Sequence, residues 1–143
     1  MITLRPATPD DIDRLYAIHR AASREMVAET WGQWDEAWQQ DYFRQHSDCS
    51  VRQVIQVDNE PIGFLDVTYH ADHVFLAAIE IAPEYQCRGF GTALIRDVLA
   101  KGSELHLPVR LQVLKVNKRA HALYERLSFV ETGHTDTHYL MQR

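Results

Sequence analysis

The chain has 143 residues, of which 45% are hydrophobic and 24% are charged, a balance typical of one ordinary domain with a sizeable core. Its formal net charge of −5 and the lack of a Lys/Arg cluster argue against a nucleic-acid partner. No apolar run approaches the roughly 18 residues of a membrane span, and the N-terminus lacks a signal-peptide core, so we expect a cytoplasmic protein with no membrane partner.

Metal and disulfide chemistry are not expected. The eight histidines lack a typical ligand spacing, and His134 and His138 stand in a predicted hairpin rather than on a helix. The two cysteines, Cys49 and Cys87, allow at most one disulfide, and in a reducing compartment we expect both to remain thiols.

The first predicted elements are a strand over Ile2–Arg5 and a helix that starts at Thr8. Thr8, Pro9 and Asp11 stand at the N-cap, first and third positions, where these residue types are favoured. Apolar residues then follow at helical spacing and predict a helix of about 18 residues packed against the core. They are Ile12, Leu15, Tyr16, Ala22 and Met26.

All three tryptophans fall within residues 30–43, interleaved with acidic residues. Gly32 indicates a break, and the spacing of Trp34 and Trp38 predicts a second helix. Aromatic rings beside carboxylates can hold an ammonium group by cation–π attraction and ion pairing. Either the tryptophans only pack a short helix onto the sheet, or the segment binds a cation. The candidate binding residues are Trp31, Trp34, Asp35 and Glu36.

Three strands are predicted next. Val51–Val57 alternates in hydrophobicity, 58–61 has turn composition, and Ile62–Tyr69 is the return strand of a hairpin. Val74–Ile81 is an apolar run rich in β-formers, which predicts a buried strand that Pro83 ends.

Gly89 and Gly91 follow this strand, and a helical period begins at Leu94. The first turn of a helix offers unpaired N–H groups and the positive end of its dipole, which bind an anion. Glycine lets a phosphate approach the backbone closely, so one interpretation is a diphosphate cradle and the other an ordinary turn. A dinucleotide-binding fingerprint fits less well, because it needs a third glycine near Leu94.

The last third of the chain predicts a helix end at Lys101–Gly102, a strand over Val109–Leu114 and a helix within Val116–Phe129. Two closing strands are predicted over Phe129–Thr132 and His138–Gln142. The apolar face of the last helix comprises Ala120, Leu123, Tyr124 and Leu127.

Two motifs carry a resemblance to a known family. Q-x-x-G-x-G, formed by Gln86, Gly89 and Gly91, resembles the acetyl-CoA loop of the GNAT superfamily of N-acetyltransferases, and N-x-x-A-x-x-L-Y-E-x-L-x-F over 117–129 is similar to its second signature. The N-terminal half matches only in the order of elements. The resemblance implies one GNAT domain over residues 1–143. Its fold would be α/β (α+β), with a mixed six- to seven-stranded sheet, splayed parallel strands and about four helices.

The resemblance implies acetyl-CoA as the acetyl donor. Pantetheine would pair with the backbone of Ile79 and Ile81, and Asn117 would hydrogen-bond to its arm, although Asn is also a favoured N-cap. The backbone N–H groups of residues 87–92 are implied to hold the diphosphate, and Gln86 begins the same motif. The implied cofactor-binding residues of the loop are Gln86, Cys87, Arg88, Gly89, Phe90, Gly91 and Thr92.

Tyr124 is implied to lie near the thioester sulfur and to protonate the leaving thiolate; the alternative is one more core aromatic. Glu80 is the candidate base for the attacking amine, either directly or through water, because a carboxylate in an apolar strand needs a reason to be there. The alternative is that Glu80 pairs with an arginine or faces solvent. The Ile81 N–H is implied to stabilise the oxyanion.

The implied function is acetyl transfer from acetyl-CoA to a primary amine of a small molecule or protein, by direct attack in a ternary complex. The alternative is a non-catalytic CoA-binding sensor or interaction module with the same fold. The acidic, Trp-rich segment favours a cationic acceptor, and the family implies a monomer or a homodimer.

Three residues depart from the family pattern. Gln112 stands where the ribosomal-protein acetyltransferases carry a glutamate base, so that base is not carried over. Ser128 stands where the family usually has glycine, and it is strained if the site is left-handed. Cys87 replaces the more usual Arg, Gly or Lys, and we expect it to be a passive small residue.

Overall fold

The computed structural model describes all residues, 1–143, as seven strands and four helices, which confirms the predicted fold class. The strands are β1 (Ile2–Pro6), β2 (Arg52–Val57), β3 (Glu60–Tyr69), β4 (Val74–Ile81), β5 (Val109–Leu114), β6 (Val130–His134) and β7 (His138–Gln142). The helices are α1 (Ile12–Trp31), α2 (Glu36–Gln45), α3 (Phe90–Glu104) and α4 (Lys118–Arg126). None of the four helices combines the length and apolar character that crossing a bilayer requires.

The strands form a mixed sheet in the order β1-β2-β3-β4-β5-β7-β6. The pairs β1–β2, β2–β3, β5–β7 and β6–β7 are antiparallel, whereas β4 and β5 run parallel. The parallel pair aligns Val74 with Val109 and Leu76 with Leu111, four side chains that are all buried. These four residues stand at alternate positions, so they share one buried face of the pair, whereas Gln112 on the other face of β5 is exposed.

The chain divides into two compact units, each built from two separate segments. The first unit comprises Met1–Asp66 and Ala78–Phe90, and the second comprises Val67–Ala77 and Gly91–Arg143. The single domain over residues 1–143 stays a prediction.

The core of the first unit includes Leu15 and Ile18 of α1, Phe43 of α2 and Phe64 of β3. The predicted inner face of α1 is right at Leu15 and Tyr16, which are buried. The face continues through Ser23 and Val27, whereas Ala22 and Met26 are half-buried. The helix therefore buries a polar residue, Ser23, that a search for apolar spacing passes over.

The predicted start of the first helix is confirmed in its capping contact. The Thr8 N–H donates to Asp11 Oδ2 at 2.8 Å, and Pro9–Asp11 forms a short 3₁₀ turn before α1. The Arg5 guanidinium donates to both Asp11 oxygens at 2.8 Å. This hydrogen-bonded pair lowers the pKa of Asp11 to about 2.

Three strand predictions, Val74–Ile81, Val109–Leu114 and His138–Gln142, match the structure at both ends. The first hairpin is tighter than predicted, since its turn is Asp58 (φ 50°) and Asn59 (φ 67°) and β3 begins at Glu60. Two successive left-handed residues are what a two-residue hairpin loop favours.

The helix end predicted at Lys101–Gly102 is wrong, because α3 continues to Glu104. Gly102 is buried instead, and a Cβ there would lie 2.9 Å from Val109 Cγ2 and 3.0 Å from the Leu107 carbonyl oxygen. This glycine permits close packing of the helix, and the chain turns after the helix at His106, with φ 57°.

Candidate functional site

The glycine loop, residues 82–89, is anchored by hydrogen bonds to the ends of the neighbouring strands β3 and β4. The Ala82 N–H donates to the Ile62 carbonyl at 2.7 Å, and the Gln86 side-chain amide donates to the Ile81 carbonyl at 2.8 Å. Pro83–Tyr85 forms a 3₁₀ turn between these contacts. Gln86, predicted to bind the cofactor, thus also holds the start of the loop against the strand.

The rest of the loop is open and left-handed. Residues 87–89 are exposed, with φ 62° at Cys87 and φ 83° at Gly89. A Cβ at Gly89 would meet no heavy atom within 4 Å, so space lies beside the backbone. The Arg88 guanidinium lies 5.1 Å from the centre of the Tyr85 ring, and the first turn of α3 contains no acidic residue. An open loop at a helix N-terminus without acids fits the diphosphate of coenzyme A.

Glu80 lies in β4 between the half-buried Ile79 and Ile81, and its carboxylate contacts α1. His19 Nδ1 is 2.7 Å from Glu80 Oε1 and 3.0 Å from Oε2. Ser23 Oγ donates to Oε2 at 3.3 Å. The partner of Glu80 is thus a histidine, which differs from both the arginine and the solvent that the sequence left open.

Gly63 of β3 fixes the main chain at Glu80. A Cβ at Gly63 would lie 2.0 Å from the Glu80 carbonyl oxygen and 3.1 Å from Ile81 Cα, well inside contact distance. Only glycine fits so close an approach of two backbones. The position of Glu80 is therefore set by the strand beside it as well as by its own side-chain contacts.

Aromatic rings surround the imidazole of His19. The ring centre lies 5.2 Å from that of Phe43 in a stacked arrangement, 5.8 Å from Trp34 and 6.4 Å from Tyr16. The His19 side chain is 20% exposed. Its hydrogen bonds go through Nδ1 to Glu80, and Nε2 has no partner in the protein.

Glu36, a predicted binder of the cationic acceptor, already has three partners. Tyr16 Oη donates to its Oε2 at 2.5 Å, Trp34 Nε1 donates to the same oxygen at 2.7 Å, and Arg20 Nε lies 3.2 Å from Oε1. The hydrogen bond from Tyr16, followed by that from Trp34, lowers the pKa of Glu36. A cationic ligand would have to share this carboxylate with Arg20.

The other predicted acceptor residues have separate surroundings. Gly32 ends α1 with φ 89°, as its sequence indicates, and Asp35 caps α2 by accepting the Trp38 N–H at 3.1 Å. Trp31 and Trp38 are each 56% exposed. Among the tryptophans, Trp34 is the one that packs against the core of the first unit.

In the second unit, Asn117 caps α4 by accepting the Ala120 N–H on Oδ1 at 3.2 Å. Tyr124 lies on the inner face of this helix, 7% exposed, with its ring edge-on to Phe129 at 5.7 Å. Burial raises the pKa of Tyr124 to about 12. Ser128 follows the helix with φ 68°, so the left-handed site and its strained serine are confirmed.

The Tyr124 hydroxyl has no hydrogen-bond partner in the protein. Every fully buried polar side-chain atom in the structure does have one. The small exposed part of Tyr124 therefore includes its hydroxyl oxygen. A buried ring with an accessible, unpartnered hydroxyl is suited to donate a hydrogen bond to a bound ligand.

His19 and Ser23 are the two site residues that the sequence reasoning missed. They stand four and eight residues after Leu15, on the side of α1 that faces the core. The available signal was a histidine and a serine at core-facing spacing, where a polar side chain needs a partner.

Comparison with known proteins adds the family context. The model of the Acetyltransferase (GNAT) family matches residues 12–129. A thialysine N-epsilon-acetyltransferase from Bos taurus is 32% identical over 93 residues, covering 55% of this chain and 53% of that protein. The chain thus spans about half the length of this curated relative.

Solved structures share the fold. The PaiA N-acetyltransferase from Thermoplasma acidophilum, in complex with coenzyme A, has a TM-score of 0.80 at 17% identity and covers 100% of this chain and 98% of its own. The ribosomal-protein-S18-alanine N-acetyltransferase from Escherichia coli has a TM-score of 0.71 at 21% identity, covering 99% and 92%. At these identities the likeness concerns the fold.

Proposed function

Since the chain belongs to the acetyltransferase (GNAT) family, we propose that it is an N-acetyltransferase that moves an acetyl group from acetyl-CoA to a primary amine. The acceptor would be a small molecule or an exposed amine of a protein, attacked directly within a ternary complex. Acetyl transfer is the activity class of the family, and the features below support its assignment to amines.

The glycine loop supports acetyl-CoA as the donor. When bound, acetyl-CoA supplies a thioester whose carbonyl carbon accepts the amine and whose sulfur leaves. The N–H groups of residues 87–92 would hold the diphosphate, where the backbone is open at Gly89 and no acid opposes an anion. The backbone of Ile79 and Ile81 would hold pantetheine. Asn117 uses Oδ1 as its cap, which leaves its amide nitrogen to donate to the pantetheine arm.

Tyr124 is the residue that favours an enzyme over a non-catalytic sensor. An accessible hydroxyl without a partner, on a ring that is otherwise buried, has no structural task in the second unit. With its pKa raised to about 12, the hydroxyl keeps its proton at neutral pH and can donate it in a hydrogen bond. We assign it the hydrogen bond to the sulfur that leaves.

A primary amine on a flexible chain is the acceptor class that we favour. The 32% identical relative is named for acetylating an Nε amine, that of thialysine. The exposed Trp31 can contact a cationic acceptor, as can Trp34 at the edge of the first core. Glu36 and Asp35 are expected to help less, because both carboxylates are already engaged within the protein.

The test is free-thiol release from acetyl-CoA in the presence of single amines: lysine and thialysine, a polyamine, an aminoglycoside and a lysine-containing peptide. The expected result is release that depends on one class of amine and yields an acetylated amine by mass spectrometry. Tight binding of acetyl-CoA without release for any amine would overturn the enzyme in favour of the sensor. Preference for NAD or ATP over coenzyme A in a binding assay would overturn both.

A further inference from the structure

We propose that Nε2 of His19 accepts the proton of the acceptor amine and that Glu80 is a positioning residue for His19. This proposal rests on the proposed function and changes the candidate base from the strand carboxylate to its helical partner. The observation behind it is the contact between a half-buried imidazole and the Glu80 carboxylate, at 2.7 and 3.0 Å from one nitrogen.

The contact determines which imidazole nitrogen is basic. A carboxylate accepts hydrogen bonds, so Nδ1 of His19 must carry the proton that it shares with Glu80. In the neutral ring the lone pair is then on Nε2, which has no partner in the protein. A base oriented by a third group is the arrangement in which imidazole serves as a proton acceptor in other enzymes.

The same contacts make Glu80 a poor direct base. Both of its oxygens face His19 Nδ1, and Oε2 also accepts from Ser23. Both carboxylate oxygens are thus engaged by hydrogen-bond donors of α1, whereas Nε2 of His19 is not engaged by any group of the protein. Imidazole, with a reference pKa of about 6.5 against about 4.3 for a Glu carboxyl, is also the better match to neutral pH.

The position of His19 connects the two parts of the first unit that the sequence assigned to catalysis and to acceptor binding. Its Nδ1 contacts Glu80, which lies between the strand residues implied to hold pantetheine. Its ring lies 5.8 Å from the ring of Trp34, one of the predicted acceptor residues. Phe43 stacks on the imidazole at 5.2 Å and limits its rotation.

The charged and titratable groups around His19 are few. Glu80 contacts it from β4, and Tyr16 lies near it on α1. On the α2 side, the Glu36 carboxylate is bonded to Trp34 and paired with Arg20, so its charge is partly neutralised. Glu80, at 2.7 Å, is therefore the charged group in direct contact with His19.

The proton balance is complete without another reactant. His19 Nε2 takes one proton from the ammonium form of the acceptor, which leaves a neutral amine, and later releases that proton to water. The amine nitrogen then bonds to the thioester carbonyl carbon, and the carbon–sulfur bond breaks. The second proton of the amine goes to the departing sulfur, which leaves as the thiol. One proton is released for each acetyl group transferred.

His19→Asn and Glu80→Gln separate the two candidate bases. An asparagine amide can still donate to Glu80, but it has no basic atom, so we expect kcat/KM to fall by about 10²–10³-fold and the acidic limb of its pH profile to disappear. In Glu80→Gln the limb should remain, because the imidazole that produces it is still present, and kcat/KM should fall less than in His19→Asn, because only the orientation of the ring is lost. The matched control is His46→Asn, an exposed histidine of the same unit that contacts only the Tyr42 carbonyl and ring.

The opposite pattern, in which Glu80→Gln removes the limb and His19→Asn retains it, would overturn the proposal, as would a His19→Asn variant with wild-type kcat/KM. Thermal melting and acetyl-CoA binding of each variant exclude misfolding as the cause of a loss. In the wild type, ¹⁵N NMR of the His19 ring should show Nδ1 protonated and Nε2 bare, and the reverse tautomer would also overturn the proposal. Wild-type protein that acetylates no amine would instead overturn the proposed function, and the role of His19 with it.

Discussion

Tyr16 in the first unit and Tyr124 in the second have the same titration behaviour and different surroundings. Both residues are 7% exposed, and both pKa values are raised to about 12. For Tyr124 burial is the cause. For Tyr16 burial is the largest cause, and the hydrogen bond to the Glu36 carboxylate adds to it.

The difference lies in what each hydroxyl does. The Tyr16 hydroxyl donates to Glu36 at 2.5 Å, in a cluster that also contains Trp34 and Arg20. Its hydrogen-bonding capacity is used to hold α1 to the start of α2. The Tyr124 hydroxyl is accessible and has no partner. A raised pKa therefore does not distinguish the two tyrosines, whereas their hydrogen-bond partners do, and it is the unpartnered hydroxyl of Tyr124 that makes it the proposed catalytic residue.

Among the variants of these two tyrosines, we expect the largest effect from Tyr124→Phe, on the rate of acetyl transfer. Full proton transfer from a phenol of pKa about 12 to a thiolate of reference pKa about 8.5 is uphill by about 5 kcal/mol. We therefore assign Tyr124 a hydrogen bond to the sulfur and not full proton transfer. Loss of one such bond lowers kcat by about 10²-fold. Steady-state kinetics with the amine identified by the thiol-release panel measures this effect.

The affinity for acetyl-CoA and the melting temperature of Tyr124→Phe should stay close to wild type, because phenylalanine fills the same buried volume and no protein partner is lost. The paired variant Tyr16→Phe is the control for removing a hydroxyl at equal burial. If the two variants had equal kcat, the assignment of Tyr124 would be wrong.

Much of this site follows from the sequence where local rules determine structure. The strand over Val74–Ile81 ends before Pro83, the loop turns at Gly89, and Asn117 begins α4. In each case a residue type with a specific backbone requirement stands at the position that needs it. The left-handed φ of 68° at Ser128 was predictable in a different way, because the resemblance to the family implies a glycine position there.

The contacts of His19 were not predictable in this way. A periodicity search assigns polar residues to the solvent side of a helix. His19 is partly buried and Ser23 is buried because both contact Glu80, which is 61 and 57 residues away in sequence and so cannot be found by a local search. Trp38 shows the converse, since helical spacing with Trp34 suggested packing and the ring is 56% exposed. Only the tertiary arrangement decides which side of such a helix is inside.

Alkaline pH should separate the two tyrosines by stability. Between pH 10 and 12 an unfolded tyrosine loses its proton while these folded ones keep theirs, so the free energy of unfolding falls as pH rises, by up to about 1.4 kcal/mol per pH unit for each. Tyr124→Phe should remove the whole contribution of one tyrosine to this dependence of the unfolding free energy on pH. Added salt should not change the difference between this variant and the wild type. For Tyr16→Phe the difference should be smaller and salt-sensitive, because part of its shift comes from the half-exposed Glu36. Urea unfolding at pH 9, 10 and 11 measures both slopes, and identical salt responses would contradict the distinction.

The smallest effect should be that of Tyr16→Phe at neutral pH. The variant removes one of three partners of Glu36 and leaves Trp34 and Arg20 in place, so we expect the melting temperature to fall by about 2–5 °C. The pKa of Glu36 should rise toward its ordinary value, because the hydrogen bond from Tyr16 is the largest cause of its lowering. Thermal melting and NMR titration of the Glu36 carboxyl measure these changes. The Tyr16 hydroxyl stabilises the fold and touches no reacting atom in the proposed mechanism, so kcat should stay near wild type. A large loss of kcat with an unchanged melting temperature would contradict this prediction, because it would give Tyr16 a part in catalysis as well as Tyr124.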